Sequence, residues 1–157
     1  MSDIPFPHDH LVLDSSVVIK WYRQGEVLTE QALLLREAYL NGEAAVSVPS
    51  LLVYELANVL HYKNDLSTDQ VQEAIRSLLA LGLNVFPPGN LLMCQAVEIA
   101  LTYQTTVYDA TFAALAQALP ATFVTADERL ARRLEGLSFV YCLADVEVRH
   151  SPEDAVG

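Results

Sequence analysis

The sequence predicts an α/β fold, a three-layer α/β/α sandwich around a central parallel sheet of about five strands. Two observations carry that prediction. Short apolar runs alternate along the chain with longer stretches of helical apolar spacing. Strands separated by helices pair in parallel through right-handed crossovers, and the crossovers cover both faces of the sheet. The 157 residues, 52% of them hydrophobic, are enough for one core. Without a linker rich in Gly, Ser or Pro, or any internal repeat, the expected division is a leader over 1–10, a single domain over 11–145 and a loose tail over 146–157.

The elements follow in order. Leu11 to Leu13 reads as the first strand, and Ser15 to Tyr22 as a short helix or turn. Apolar spacing predicts a helix from about Val27 to Leu40, with Asn41-Gly42 as its stop. Ala44 to Val48 is the second strand, closed by Pro49, and Ser50 is expected to cap a helix to about Tyr62. The next helix has the clearest start: Ser67 and Gln70 form a capping box, Leu66 and Val71 sit at the staple positions, and Gly82 follows the last turn. Leu83 to Phe86 is the third strand, before Pro87-Pro88. Asn90 is expected to cap a helix to about Tyr103, and a further helix spans roughly Tyr108 to Leu119. Ala121 to Thr125, Asp127 to Leu134 and Phe139 to Leu143 complete the pattern as strand, helix and fifth strand.

Composition excludes several classes of function. No run approaches the roughly 18 apolar residues of a membrane helix, and MSDIPFPHDH lacks the basic and apolar regions of a signal peptide, so a soluble, cytoplasmic protein is expected. Cys94 and Cys142 have neither CxxC spacing nor a nearby histidine and read as buried, reduced thiols. With 20 acidic against 9 basic side chains, the formal charge of −11 opposes general nucleic-acid binding and suits a basic protein partner.

The chemistry concentrates in four carboxylates. In such sheets ligands bind beyond the carboxyl ends of the strands. Asp14 follows the first strand in LVLDSSVVIKW, Asp127 follows the fourth in FVTAD, and Asp109 begins the helix of VYDATFAALA. Each of these three also suits a helix cap, and a cap can still serve as a ligand because different lone pairs do the two jobs. Glu55 is different. In PSLLVYELANVLHY it falls beside Leu51, Leu52 and Val59 on the apolar stripe, where a carboxylate is costly unless it is paired or neutralised. Four converging carboxylates would repel one another, and a hard divalent cation resolves that repulsion. Oxygen-only donors suit Mg²⁺ or Mn²⁺ better than zinc. Ser16 and Thr125, each two residues from an aspartate, are candidates to orient a carboxylate or serve as local turn residues. The histidines pair with none of this: His8, His10 and His150 lie near the ends and His61 late in a helix.

Four segments, LVLDSSVVIKW, VPSLLVYELANVL, TVYDATFAALA and FVTADERL, in that order, resemble the four motifs of PIN-domain ribonucleases, most closely VapC-type toxins of toxin–antitoxin pairs. The resemblance runs from about Leu11 to Leu143. It implies that Asp14, Glu55, Asp109 and Asp127 are the catalytic, metal-holding set, with Thr125 as a supporting hydroxyl. It implies cleavage of RNA with one or two Mg²⁺ or Mn²⁺ ions, inhibition by a small antitoxin, and a homodimer. An antitoxin with a basic C-terminal segment would suit the acidic charge. Lys20, Arg23 and Arg129 are the candidate RNA contacts, with Lys63, Arg132 and Arg133 nearby in sequence, although solvated helix faces account for such residues equally well.

Rival enzymes fail on named residues. A receiver-type domain would want acids adjacent to Asp14 and a lysine beyond the last strand, and FVYCLADV has none. A DxD phosphatase would need an aspartate where Ser16 stands. The remaining alternative is a catalytically silent PIN-like module whose acidic pocket receives a basic partner segment.

Overall fold

The computed structural model describes Phe6 and residues 8–149. Five strands, β1 (His10–Leu13), β2 (Ala45–Pro49), β3 (Asn84–Phe86), β4 (Thr122–Thr125) and β5 (Val140–Cys142), form one wholly parallel sheet in the order β3-β2-β1-β4-β5. The helices are α1 (Ser15–Val18), α2 (Thr29–Leu40), α3 (Leu51–His61), α4 (Thr68–Ala80), α5 (Asn90–Tyr103), α6 (Val107–Ala118) and α7 (Glu128–Arg133). A 3-10 turn, Ile19–Trp21, continues α1, and another, Leu143–Asp145, follows β5. The α/β sandwich with five parallel strands is the fold expected from the sequence.

The sheet order locates the functional edge. From β1 the chain builds outward through β2 to β3, then returns to the other side of β1 to lay down β4 and β5. The direction of winding therefore reverses between β1 and β4, and at such a switch point the loops leave the strand ends in opposite directions and open a crevice. Register pairs Leu13 with Val124, so Asp14 and Thr125 emerge side by side at that crevice.

The core explains why the frame is rigid there. Leu11, Val12 and Leu13 are fully buried, as are Phe123 and Val124, which is the continuous apolar run of a strand covered on both faces. From α6, Ala110, Ala113, Ala114 and Ala116 pack with no or almost no exposure, and the small side chains let that helix lie close to the sheet. Phe112 stacks on Phe123 at 6.1 Å.

Several local expectations need correction. Ser50 does not cap α3: its backbone is already helical and its N–H donates to Phe86 O at 2.8 Å, tying the start of α3 to the end of β3. Asn90 is the first residue of α5, behind an extended Gly89, and its side chain accepts from Cys94 Sγ instead. The helix expected from Val27 begins at Thr29, because Leu28 adopts a left-handed backbone (φ 61°) that no α-helix accommodates. Cys94 is exposed and Cys142 only partly buried. The Ser67–Gln70 capping box forms as expected. Most of the expected leader and tail lies outside the described residues. Within them, His10 belongs to β1 and donates or accepts at Ser47 Oγ (2.7 Å), and Val146 is buried. No helix among the described residues is long and apolar enough to cross a membrane.

Candidate active site

Asp14 is the best-held of the four carboxylates. It is the N-cap of α1 and is 5% exposed. Its Oδ1 accepts from the Ser16 N–H at 3.1 Å and from Ser16 Oγ, while its Oδ2 accepts from Thr125 Oγ1 at 2.6 Å. The hydroxyls have no freedom to point elsewhere. Ser16 Oγ accepts the Ala126 N–H at 2.8 Å, and Thr125 Oγ1 accepts the Asp127 N–H at 3.1 Å. Each hydroxyl therefore accepts from the loop after β4 and donates its single proton to Asp14, so the ends of β1 and β4 are stitched together through this one carboxylate. Burial outweighs these bonds and pushes the Asp14 carboxyl up to about 6, with repulsion from Asp109 adding to the rise.

Asp109 arrives by a different device. Thr106, not Asp109, caps α6: its hydroxyl accepts from the Asp109 N–H at 3.0 Å. The helix thus starts one residue earlier than expected, at Val107, and Asp109 sits in its first turn with the carboxylate released from capping. T-x-x-D before an apolar helix is the pattern that announces such a start. Partial burial raises the Asp109 pKa, the Thr106 bond opposes the rise, and repulsion from Asp127 adds to it.

Asp127 does cap α7, accepting from Arg129 N and Leu130 N through Oδ1 (3.0 and 3.1 Å). Its Oδ2 accepts none of the hydrogen bonds found among the described residues, and the residue is exposed at the rim.

Glu55 is the anomaly of the site. It projects from the second turn of α3, partly buried, and its Oε1 is sealed from solvent with no hydrogen-bond partner. An arginine or lysine that would make it an ordinary buried pair is not there: no ion pair among the described residues includes Glu55. Desolvation, then repulsion from Asp14 and Asp109, pushes its carboxyl up to about 7.

These couplings link Asp14, Glu55, Asp109 and Asp127 into one electrostatic group at the switch point, drawn from β1, α3, α6 and the β4–α7 turn. Among the described residues no three His, Cys, Asp or Glu side chains close on a single point as a finished metal cage would. The donor chemistry nevertheless fits a hard cation, since every donor is oxygen, the charges repel, and one oxygen is buried without a partner.

The three candidate RNA contacts differ sharply in environment. Arg129 is exposed beside Asp127. Arg23 is held by Glu26 and Asp65, both at 3.4 Å. Lys20 is 8% exposed and so is not the open rim cation its place after Asp14 suggested. Two aromatic residues carried no weight in the sequence but adjoin the site: Tyr54 and Tyr108, neighbours of Glu55 and Asp109, are 75% and 64% exposed and line an apolar groove with Leu51 and Phe86.

Comparison with known proteins matches a PIN domain to residues 11–135. No curated protein matches the chain. Among solved structures, VapC20 of Mycobacterium tuberculosis, described as a sarcin–ricin-loop-cleaving toxin, aligns with a TM-score of 0.61 at 15% identity over 78% of this chain and 93% of that one. The DNA-bound VapBC of Salmonella typhimurium gives 0.64 at 15% identity over 85% and 98%. FitAcB of Neisseria gonorrhoeae gives 0.60 at 19% identity over 84% and 95%.

Proposed function

Because the chain belongs to the PIN domain family, we propose that it is a metal-dependent endoribonuclease, the toxin of a toxin–antitoxin pair. The observation that carries the reading is Glu55: a carboxylate oxygen buried without a partner and repelled by Asp14 and Asp109 must be protonated or completed by a cation, and the oxygen donors around it suit a cation. The family and the toxin complexes among its structural neighbours support the substrate and the partner.

In this reading Asp14 and Asp109 are the principal ligands of Mg²⁺ or Mn²⁺, and Glu55 and Asp127 hold a second ion or its waters. When bound, the cation supplies Lewis acidity toward water and phosphate. The chain's own residues do the rest. Ser16 and Thr125 hold both oxygens of the Asp14 carboxylate and leave one lone pair of Oδ2 for a ligand. The N–H groups of Arg129 and Leu130 hold Asp127 Oδ1 and leave Oδ2 for the site. Arg129 is the cation we assign to an RNA phosphate, where it positions the strand without reading its sequence.

A small antitoxin silences the free enzyme, its basic C-terminal segment entering the acidic crevice. The active form is a homodimer. Its face is the contiguous apolar surface where two grooves meet at Phe86, one lined by Tyr54, Pro88 and Tyr108 and the other by Pro87 and Leu91. Leu91 is 85% exposed, an arrangement that a second copy would cover.

The test is cleavage of defined RNAs by the purified protein. Cleavage is expected with Mn²⁺ or Mg²⁺, with loss in EDTA and restoration by added metal. Metal affinity, and with it cleavage at limiting metal, should also fall as the pH drops below about 7, where Glu55 and then Asp14 of the metal-free protein take up protons. Absence of cleavage of any RNA, with the basic segment still bound, would favour the silent PIN-like interaction module.

A further inference from the structure

The turn between α5 and α6 and the C-terminal end of α7 meet at two adjacent points, and neither involves the four carboxylates. Arg133, the last residue of α7, donates from Nη1 to the Gln104 carbonyl, across 29 positions of sequence. Three residues further on, Gly136 lies so close to Tyr103 that a Cβ there would stand 3.2 Å from Cε1 and 3.3 Å from the ring hydroxyl. Gln104 is the left-handed C-cap of α5 (φ 56°), a conformation that a residue with a side chain keeps only where its surroundings hold it. Helix α5 has no basic residue in its own last turn. The Arg133 guanidinium supplies, from another helix, the donor and the positive charge that a helix C-terminus favours.

What this contact joins gives it a consequence for the candidate site. Helix α7 has six residues, of which only Leu130 is buried, and a helix that short keeps its place through its neighbours rather than by itself. Asp127 caps its start and Arg133 ties down its end. On the other side of the bond, Gln104 stands two residues before Thr106, whose hydroxyl caps α6 and sets the turn that carries Asp109. The spacing of Asp127 and Asp109 is therefore fixed by whatever fixes α7 against the α5–α6 turn. We infer that Arg133 is a positioning residue of the proposed cation site: by tying α7 to the α5–α6 turn it holds Asp127 at a set distance from Asp109. The inference rests on the metal-dependent reading and adds to it a residue that supplies no ligand oxygen. It also takes Arg133 out of the set of cations free to meet an RNA phosphate.

Charge alone predicts the opposite sign, which makes the role testable: a guanidinium near a cation site repels the ion, so its removal would tighten binding. Mn²⁺ affinity of the purified full chain, measured without RNA by the loss of the free-ion electron paramagnetic resonance signal, separates the two effects. Arg133→Gln is expected to weaken Mn²⁺ about fivefold, less than the tenfold or more that loss of a direct partner of a ligand costs. Arg133→Lys, which keeps the charge and a donor, should recover most of it. Arg132→Gln, which removes the neighbouring charge and leaves the Gln104 bond, should bind Mn²⁺ as tightly as wild type or more so. Circular dichroism checks that each variant is folded. Hydrogen exchange in EDTA reads the tie without metal, and the α7 amides of Leu130 and Ala131 should exchange at least about threefold faster in Arg133→Gln, with α2 unchanged. A wild type that binds no Mn²⁺ would overturn the metal reading and this role with it. Binding by wild type with equal or tighter binding by Arg133→Gln, or unchanged exchange in α7, would overturn this role alone. Unchanged Mn²⁺ affinity with weakened binding of a single-stranded RNA would make Arg133 a phosphate contact instead.

Discussion

At the scale of residues, the candidate site is a balance between desolvation and repulsion, and Glu55 shows it best. Its carboxyl is raised to about 7 in the fold from an ordinary 4.5. A raised acid binds its proton more tightly in the folded than in the unfolded state. Metal-free stability therefore falls as the pH rises from 4.5 through 7, and the penalty is fully present above 7. Glu55→Gln is expected to raise the metal-free melting temperature at pH 8 by on the order of a few degrees, with the difference shrinking as the pH falls toward 5. Thermal melts across that range check it, and a lower melting temperature for the variant at pH 8 would show that Glu55 has a stabilising partner. The sequence made Glu55 legible as an anomaly because helical spacing alone puts it on the apolar stripe. It could not show that the partner is missing, since that depends on where every arginine and lysine ends up.

Elements decide how each carboxylate is aimed. Asp14 and Asp127 cap short helices, as aspartates after strands commonly do, and these roles were readable from the local pattern. Asp109 looks like the helix start from VYDATFAALA alone, but the cap is Thr106, which the T-x-x-D spacing signals. Ser50 and Asn90 differ from expectation because, although serine and asparagine are favoured caps, Pro49 pairs opposite Phe86 at the end of β2 and an extended Gly89 leads into α5, so the backbone reaches each helix by another route. Thr106→Ala removes the cap of α6 and should cost about 1 kcal/mol. It should also lower cleavage by loosening the turn that carries Asp109, while Thr106→Ser preserves both. Denaturant melts beside cleavage rates measure the two effects, and the loss of about 1 kcal/mol with unchanged cleavage would separate Asp109 from its cap.

Across the whole molecule, topology does what no motif can. The order β3-β2-β1-β4-β5 brings Asp14 and Thr125 together from positions 111 residues apart, a contact fixed by parallel register and invisible to any local reading. The acidic excess was legible from composition, but the mutual repulsion of Asp14, Glu55, Asp109 and Asp127, and the burial of Lys20, depended on the packed structure. Assembly belongs to this scale too: if the proposed homodimer forms through the surface around Phe86 and Leu91, Leu91→Asp halves the mass seen by sedimentation, whereas a wild type that sediments as a monomer would contradict it. In the proposed function, four carboxylates act as one cation site for RNA cleavage. A comparison of wild type with Asp14→Asn at saturating Mn²⁺ tests this, because asparagine keeps the shape and, through Oδ1, the cap on Ser16, while removing the charge and the acceptor for Thr125 Oγ1. A loss of at least about a hundredfold in cleavage is expected, in the range seen when a group acting on the reacting charge is removed, and equal cleavage by the variant would rule out the site.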